Sequence, residues 1–300
     1  MAESYLESSV SDVCLAVEAY TGNTDALDAL GRIRAGYKRF LAGFDPRTHT
    51  AHFWTFLEPV ADLAIASKAT GTATGVYSAL TELTTITATA AIFYDWHVGS
   101  TITVTDVGDL TISAYTSPTV IVADDGEDFA GKAISVQHPG IYDLPIDFGG
   151  MIDPPRYHYN ASYNSPRLCE ASPAFIMDQW AASNTQDDTL YYAIAPAIPS
   201  TAAVAAGASK LWVAPRSRYD RMLSYRYVRL PLDLTDSAEC FFLGGPMHNE
   251  TIKEMALAEA ELQLNHTVGP HESRAAALMA ASIDRDKRLH QTIDAEQMHR

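Results

Sequence analysis

The sequence predicts an α+β fold in which a helical bundle, formed by N- and C-terminal helices, carries an inserted antiparallel β-barrel or β-sandwich module. Three observations predict it. Apolar residues recur at helical spacing near both ends of the chain, the central part is rich in threonine, valine and isoleucine, and turn signals separate the short runs there. These changes of pattern place N-terminal helices at 1–65, the β-rich module at 66–240 and C-terminal helices at 241–300.

Two amphipathic helices are predicted near the N-terminus. Apolar residues at alternating spacings of four and three predict the first over residues 2–20. A second apolar stripe runs from Leu27 to Phe44, opposite a basic face. The segment GFDP at 43–46 is expected to end this helix, because Pro46 disfavours helical geometry at the preceding residue.

The central part predicts strands. The runs STITVTD, GDLTISAY and TVIVADD place apolar residues among threonines and other small residues, and turn sequences such as DVGD and TSPT separate them. Further strands are expected at LYYAIAP (190–196), KLWVAP (210–215) and RMLSYRYVRLP (221–231). Such regularly spaced turns are typical of small barrels and sandwiches.

A Gly-Gly-Pro sequence precedes the C-terminal helical region. A phosphate-binding loop would need a glycine-rich turn with a lysine close by, and the nearest lysine, Lys253, lies two turns inside the following helix. Pro246 instead suits the first position of a helix. We therefore predict that Gly244, Gly245 and Pro246 form a hinge at a helix start, with one helix from about 246 to 266 and another from about 270 onwards.

The charge balance limits the classes of partner. The formal net charge is -16, which makes general affinity for nucleic acid unexpected. Residues 65–150 hold 10 acidic against 2 basic residues, which predicts an acidic surface. This surface is either an ordinary solvated face or one that repels DNA and lets it pass without sticking.

Residue patterns that would indicate catalysis, a cofactor or a metal are not found in the sequence. Cys14, Cys169 and Cys240 have no paired spacing, and the histidine pairs match no zinc signature. The acidic N-terminus does not resemble a signal peptide, and no apolar run reaches the ~20 residues that span a bilayer. The expectation is a non-enzymatic protein without cofactor, metal ion or membrane partner.

The segment 216–230 combines arginine with tyrosine. Strand alternation places Tyr225 and Tyr227 on one face, with Arg221 and Arg229 bordering it. These four residues are predicted to form a subunit interface or part of the core, and the alternative is a surface on which bases stack.

Five segments in this order resemble the head-to-tail adaptor proteins of tailed bacteriophages, also called connector or head-completion proteins. They are LGRIRAGYKRFL (30–41), FWTFLEPVADL (53–63), YDLPIDFGGM (142–151), LSYRYVRLP (223–231) and LGGPMHNETIKEMALAEAE (243–261). The resemblance implies a virion structural protein, assembled in the bacterial host cytoplasm, of which about twelve copies form a ring under the portal. Such a ring extends the channel through which double-stranded DNA passes, and it offers an attachment surface to tail or neck proteins.

The resemblance also implies that the C-terminal segment docks on the portal protein. In this chain the candidate contacts are Leu278, Met279, Ile283, Leu289 and Ile293. Two other functions remain open. One is a phage tail or decoration protein whose β module binds a ligand, and the other is a virion-associated glycan hydrolase with a pair of carboxylates.

Overall fold

The computed structural model describes residues 9–22, 26–124, 126–158, 167–182, 186–196, 209–231, 233–238 and 240–297, without the side chains of Ala26, Leu27 and residues 289–297. The chain divides into two compact units. We call Met1–Pro59 together with Tyr227–Arg300 the helical unit, and Val60–Arg226 the β unit. The first part of the predicted N-terminal helix, residues 2–8, lies outside the described residues.

The α-helices of the described chain are α1 (Val10–Thr21), α2 (Ala26–Leu41), α3 (Pro173–Ala182), α4 (Asn249–Asn265) and α5 (Pro270–Gln297). The strands are β1 (Val60–Ile65), β2 (Lys68–Ser78), β3 (Leu83–Ala88), β4 (Thr101–Val104), β5 (Gly108–Ser117), β6 (Val120–Asp124), β7 (Phe129–Gln137), β8 (Ile141–Asp143), β9 (Phe148–Met151), β10 (Arg156–Tyr157), β11 (Cys169–Glu170), β12 (Gln186–Asp187), β13 (Tyr191–Pro196), β14 (Ser209–Ala214), β15 (Arg216–Ser217) and β16 (Arg221–Arg229).

Local sequence explains where the first two helices begin and end. Ser9 caps α1, since its hydroxyl accepts from the backbone N–H of Asp12 at 3.2 Å and its own N–H donates to the Asp12 carboxylate at 2.9 Å. Helix α2 ends at Leu41, short of the predicted Phe44. The reason is Gly43, whose φ of 65° is left-handed and whose position leaves no room for a Cβ beside the carbonyl of His52.

Helix α4 is the centre of the helical unit. Helices α1, α2 and α5 all pack on it. The run Met255–Ala258 is buried at four consecutive positions, so every side of the helix is covered. Gly36 of α2 lies directly against the α4 backbone, because a Cβ placed there would stand 2.6 Å from the nitrogen of Ala256.

The predicted fold class is therefore wrong in its architecture, and only the broad α+β class fits loosely. The N- and C-terminal helices do not form a bundle in which each helix offers one apolar stripe to a shared axis. Instead the middle of α4 is buried on all sides and the other helices of the unit surround it. The β region is also more than one barrel or sandwich, since it combines a closed barrel, three smaller sheets and helix α3.

A closed six-stranded barrel in the order β2-β3-β6-β5-β4-β7 forms the first part of the β unit. All its strand pairs are antiparallel. Alternate residues point inward, and isoleucines fill the interior: Ile86, Ile102, Ile112, Ile121 and Ile134. The runs STITVTD, GDLTISAY and TVIVADD supply β4, β5 and β6.

The rest of the β unit is built from smaller sheets. One has the order β1-β16-β10, with β9 also paired to β16, another has the order β11-β13-β14-β8, and β12 pairs with β15. Buried Arg216 packs among them, with its guanidinium 3.8 Å from the ring centre of Trp96 and 5.2 Å from that of Trp180. Burial lowers the pKa of Arg216 to about 10. Trp96 lies in a connection of the barrel and Trp180 lies in helix α3. The stack on Arg216 therefore links this barrel connection with α3.

The close approach of α2 and α4 gives the first testable prediction. Gly36→Ala is expected to lower the free energy of unfolding by about 1–3 kcal/mol, because the added methyl group would overlap the α4 backbone. Gly31→Ala is the matched control in the same helix, since a Cβ there meets open space. It should stabilise the chain by about 0.5–1 kcal/mol. Urea unfolding followed by circular dichroism measures both, and equal stabilisation by the two variants would contradict the packing described.

Candidate assembly surface on the helical unit

Helix α5 carries the residues that the adaptor resemblance assigns to portal contact. Met279 and Ile283 are buried in the core of the helical unit, whereas Leu278 is half-buried. The side chains of Leu289 and Ile293 lie outside the described residues. In the described part of the candidate surface, the structure thus brings Met279 and Ile283 together against α4, where they stabilise the fold.

A short hairpin, residues 43–53, lies against α5. It is closed by the bridge between Phe44 and Ala51 and by the hydrogen bond from the N–H of His52 to the carbonyl of Gly43 at 2.8 Å. Buried Asp45 holds the turn, because its carboxylate accepts from the backbone N–H of Arg47 at 2.9 Å and from the Arg47 side chain at 3.2 Å. These bonds to Arg47 lower the pKa of Asp45 to about 2.

Ion pairs fasten this hairpin to α5. The guanidinium of Arg47 donates to both carboxylate oxygens of Asp284, at 2.7 and 2.8 Å. This two-point contact lowers the pKa of Asp284, and its planar geometry suits arginine rather than lysine. The hairpin is therefore held in one position along the helix.

Asp286 is the second point of attachment. It is 2 % exposed. Its carboxylate accepts hydrogen bonds from the backbone N–H of Thr55 at 3.2 Å and from the Thr55 hydroxyl at 2.5 Å, and it contacts Nε2 of His52 at 2.8 Å. A buried carboxylate with three donors is compensated for the loss of water. No local pattern indicates this site, since its members come from segments far apart in the chain.

Two cavities flank the hairpin. The first, which we call the methionine cavity, has a volume of about 390 Å³ and the second, the Asp286 cavity, about 380 Å³. The methionine cavity is lined by Arg39, Ala42, Phe44, Pro46, His49, Met255, Glu272, Ala275, Ala276 and Met279. The Asp286 cavity is lined by Ala51, His52, Phe53, Thr55, Glu58, Asp286 and Lys287.

The charged rim of the methionine cavity is internally paired. Arg39 donates to Glu259 at 2.8 Å and to Glu272 at 2.6 Å, and the bond to Glu272 contributes most to the raised pKa of Arg39. Because two carboxylates already engage this guanidinium, the cavity does not favour an anionic ligand. Its chemistry suits an uncharged apolar group.

Two buried glutamates on α4 form a polar contact with α1 and α5. Glu254 contacts Nδ1 of His271 at 2.8 Å, and Glu261 accepts from the His271 backbone N–H at 3.1 Å and from the Tyr20 hydroxyl at 3.4 Å. Arg274 adds an ion pair to Glu254 at 3.2 Å. Sequence reasoning missed this contact, because glutamate in a helix most often indicates a solvated face.

The predicted subunit-interface residues lie on β16. Tyr225 and Tyr227 are buried, and the Arg221 guanidinium pairs with Asp188 at 2.8 Å and lies 5.1 Å from the ring centre of Tyr157. Arg229 lies near enough to Tyr37 to affect its pKa, which burial raises to about 12. These contacts give the four residues a structural role within the chain, and their place in a subunit interface stays a prediction.

The predicted hinge has the backbone that its glycines suggest. Gly244 and Gly245 have φ values of 99° and 73°, which favour glycine, and Pro246 begins a short 3-10 helix, Pro246–His248, ahead of α4. Gly244 also packs close to Phe56 and His248. Movement at this corner stays a prediction.

Six acidic residues of the β unit lie at one end of the barrel. The connections β2–β3, β4–β5 and β6–β7 all lie there, as the strand pairing requires. They and the adjoining strand ends carry Glu82, Asp106, Asp109, Asp124, Glu127 and Asp128. Lys132 pairs with Asp106 at 2.7 Å, and Leu80 at the tip of the β2–β3 connection is 94 % exposed. This end of the barrel therefore carries six of the acidic residues between positions 65 and 150.

No protein-family model matches the sequence, and no curated protein matches it.

Among the residues that the structure describes, no helix is both long and apolar enough to cross a membrane. The same residues contain no group of three or more histidine, cysteine, aspartate or glutamate side chains placed to hold a metal ion.

Burial of His248 in the helical unit makes the stability of the protein depend on pH. It lies among the rings of Phe40, Trp54 and Phe56, with centres 5.2–5.7 Å away, and its Nδ1 is buried without a hydrogen-bond partner. Burial lowers its pKa from 6.5 to about 4. As the pH falls from 6.5 towards 4, His248 takes up a proton in the unfolded chain before it does so in the folded chain. The neutral ring therefore contributes its full stability only above this pH range.

We therefore expect the stability contributed by neutral His248 to be complete above pH 6.5 and to decline towards pH 4. The loss should be on the order of 1–3 kcal/mol. His248→Phe keeps an aromatic ring and removes the titration, so its unfolding free energy should fall less than that of the unchanged chain between neutral and acidic pH. Urea unfolding across this range measures the difference, and identical pH dependence in both proteins would contradict the assignment.

Proposed function

We propose that this chain is a virion structural protein, the head-to-tail adaptor that forms a ring under the portal of a tailed bacteriophage. The ring would extend the DNA channel and present the surface to which tail or neck proteins attach. The proposal begins from the five co-linear segments named above, and one observation on helix α5 carries it further.

That observation is the length of α5 compared with α4. The two helices run antiparallel, and the hydroxyls of Thr251 and Ser282 meet at 2.7 Å. Arg285 reaches the carbonyl of Met247, in the short 3-10 helix before α4, at 2.6 Å. Helix α5 then continues to Gln297, which adds about 18 Å.

A helix that continues past the start of its antiparallel neighbour is suited to reach another protein. Leu289 and Ile293 are four residues apart on this last part of α5, so they share a face of the helix. Met279 and Ile283, by contrast, are committed to the core. We therefore restrict the proposed portal contact to the segment after Arg288.

The acidic end of the barrel supports the proposed passage of DNA. Carboxylates concentrated at one end repel phosphates, and a channel wall of this kind does not retain the duplex. The proposal places this end towards the lumen of the ring.

The proposal is tested by co-sedimentation of the chain with the portal ring encoded in the same genome. The full chain is expected to pellet with the portal and to add a ring of density to its tail-facing end in negative-stain class averages. A chain truncated after Arg288 keeps the core residues Met279 and Ile283, so its stability should change by less than about 1 kcal/mol. It should lose most of its portal binding.

Two outcomes would count against this function or its details. Failure of the full chain to bind an intact portal would remove the adaptor function. Binding by the truncated chain equal to that of the full chain would assign portal docking to another segment.

A further inference from the structure

Phe53 is an exposed aromatic side chain in a rigid segment. It is 82 % exposed, although both of its neighbours are fixed. His52 contacts buried Asp286 at 2.8 Å, and buried Trp54 donates its indole N–H to the carbonyl of Phe40 at 3.0 Å. The fold thus keeps this phenyl ring exposed to water. Burying the ring would stabilise the protein by roughly 1.5–3 kcal/mol.

The methionine cavity has the chemistry to receive such a ring. Its volume of about 390 Å³ is within the range of ligand-binding clefts. Met255 and Met279 form part of its lining, and methionine side chains adapt their shape to aromatic rings. Since Arg39 is already engaged by two carboxylates, an uncharged ring suits the cavity better than an anion.

Phe53 and the methionine cavity both lie where the 43–53 hairpin meets α5. Phe44 and His49 of the hairpin line the methionine cavity, whereas Phe53 and Asp286 line the Asp286 cavity. Met279 of the methionine cavity and Asp286 are seven positions apart on α5, nearly two helical turns, so the two cavities are about 10 Å apart along the helix axis. Phe53 is not among the residues that line the methionine cavity of its own chain.

We propose that two copies of the chain pair through this face, with Phe53 of each copy inserted into the methionine cavity of the other. A knob and an acceptor on the same face are what a two-fold axis requires, because each patch then meets its complement twice. The occupant of the cavity is a second copy of this chain.

The charges beside the two features are complementary in such a pair. Glu272, with its neighbour Glu259, stands at the rim of the methionine cavity, whereas Lys287 lies beside Phe53. Pairing brings Lys287 of one copy towards Glu272 of the other. Opposite charges at the rim guide the orientation of the two copies more than they add affinity.

This pairing goes beyond the adaptor function and is independent of it. It concerns the free chain before any assembly. Pairing without portal binding would contradict only the adaptor function, and portal binding without pairing would contradict only the proposed pairing.

Analytical ultracentrifugation of the full chain over a wide concentration range tests the pairing. The expected result is a monomer–dimer equilibrium that Phe53→Ser weakens by about tenfold or more, the effect of removing an aromatic anchor. Leu80→Ser is the matched control, because it makes an equally polar change at a residue that is 94 % exposed on the barrel. It should leave the equilibrium unchanged.

Two further comparisons locate the contact. Ala276→Phe fills the methionine cavity from within and should weaken dimerisation, whereas Ala277→Phe adds the same ring at an exposed position of α5 and should not. Lys287→Glu and Glu272→Lys should each weaken dimerisation, and the two substitutions together should restore it. Thermal unfolding checks that every variant remains folded.

Several results would overturn the proposal. They are a monomeric chain at all concentrations, an effect of Leu80→Ser equal to that of Phe53→Ser, and failure of the double charge reversal to restore what both single changes weaken. If the chain is monomeric and Ala276→Phe reduces co-sedimentation with the portal, the cavity receives a portal segment instead of a second copy.

Discussion

The middle of helix α4 is buried on all its sides, and its close packing depends on a neighbouring helix that approaches its backbone without a side chain in between. Gly36 of α2 provides that approach, with space for no Cβ above Ala256. Close contact of two backbones places the rest of each helix within packing distance, so the core from Val13 and Ile33 to Ile252 and Ile283 follows from it. The position of α5, and thus of the assembly surface, depends on this packing.

Burial of α4 also explains why charged groups occur inside the helical unit. A helix buried over most of its length places some of its polar residues against neighbours, and Glu254 and Glu261 are compensated there by His271, Tyr20 and Arg274. Asp286 of α5 is compensated in the same manner by the segment after α2. Carboxylates therefore add contacts of fixed geometry to the apolar packing that connects the outer segments to the central helices.

Residue patterns predicted individual elements better than their arrangement. Alternation of isoleucine and valine with threonine located β4, β5 and β6, and the glycines with Pro246 located the start of a helix, because these signals are local. The predicted bundle was wrong because α4 is buried on every side at Met255–Ala258 and the other helices of its unit surround it, an arrangement that no local pattern encodes. Gly43 is equally informative: its left-handed backbone ends α2 before Phe44 and creates the 43–53 hairpin.

The assembly surface was only partly predictable. Met279 and Ile283 were expected to face a partner, but the same apolar character serves the core, and sequence alone does not distinguish the two uses. Asp286, His52 and Thr55 meet across more than half of the chain, and no local pattern encodes such a contact. The methionine cavity likewise depends on α2, α4 and α5 together.

The division of the chain has a consequence for its synthesis. The β unit, Val60–Arg226, is continuous, whereas the helical unit needs residues from both ends of the chain. On the ribosome the barrel can close while α1 and α2 still lack their central partner, and their apolar faces stay exposed until α4 has emerged. A folded β unit shortens the effective loop that must close between the two halves, which reduces the entropic cost of bringing them together. The N-terminal helices are thus the part of the nascent chain that most needs protection from aggregation, for instance by a chaperone.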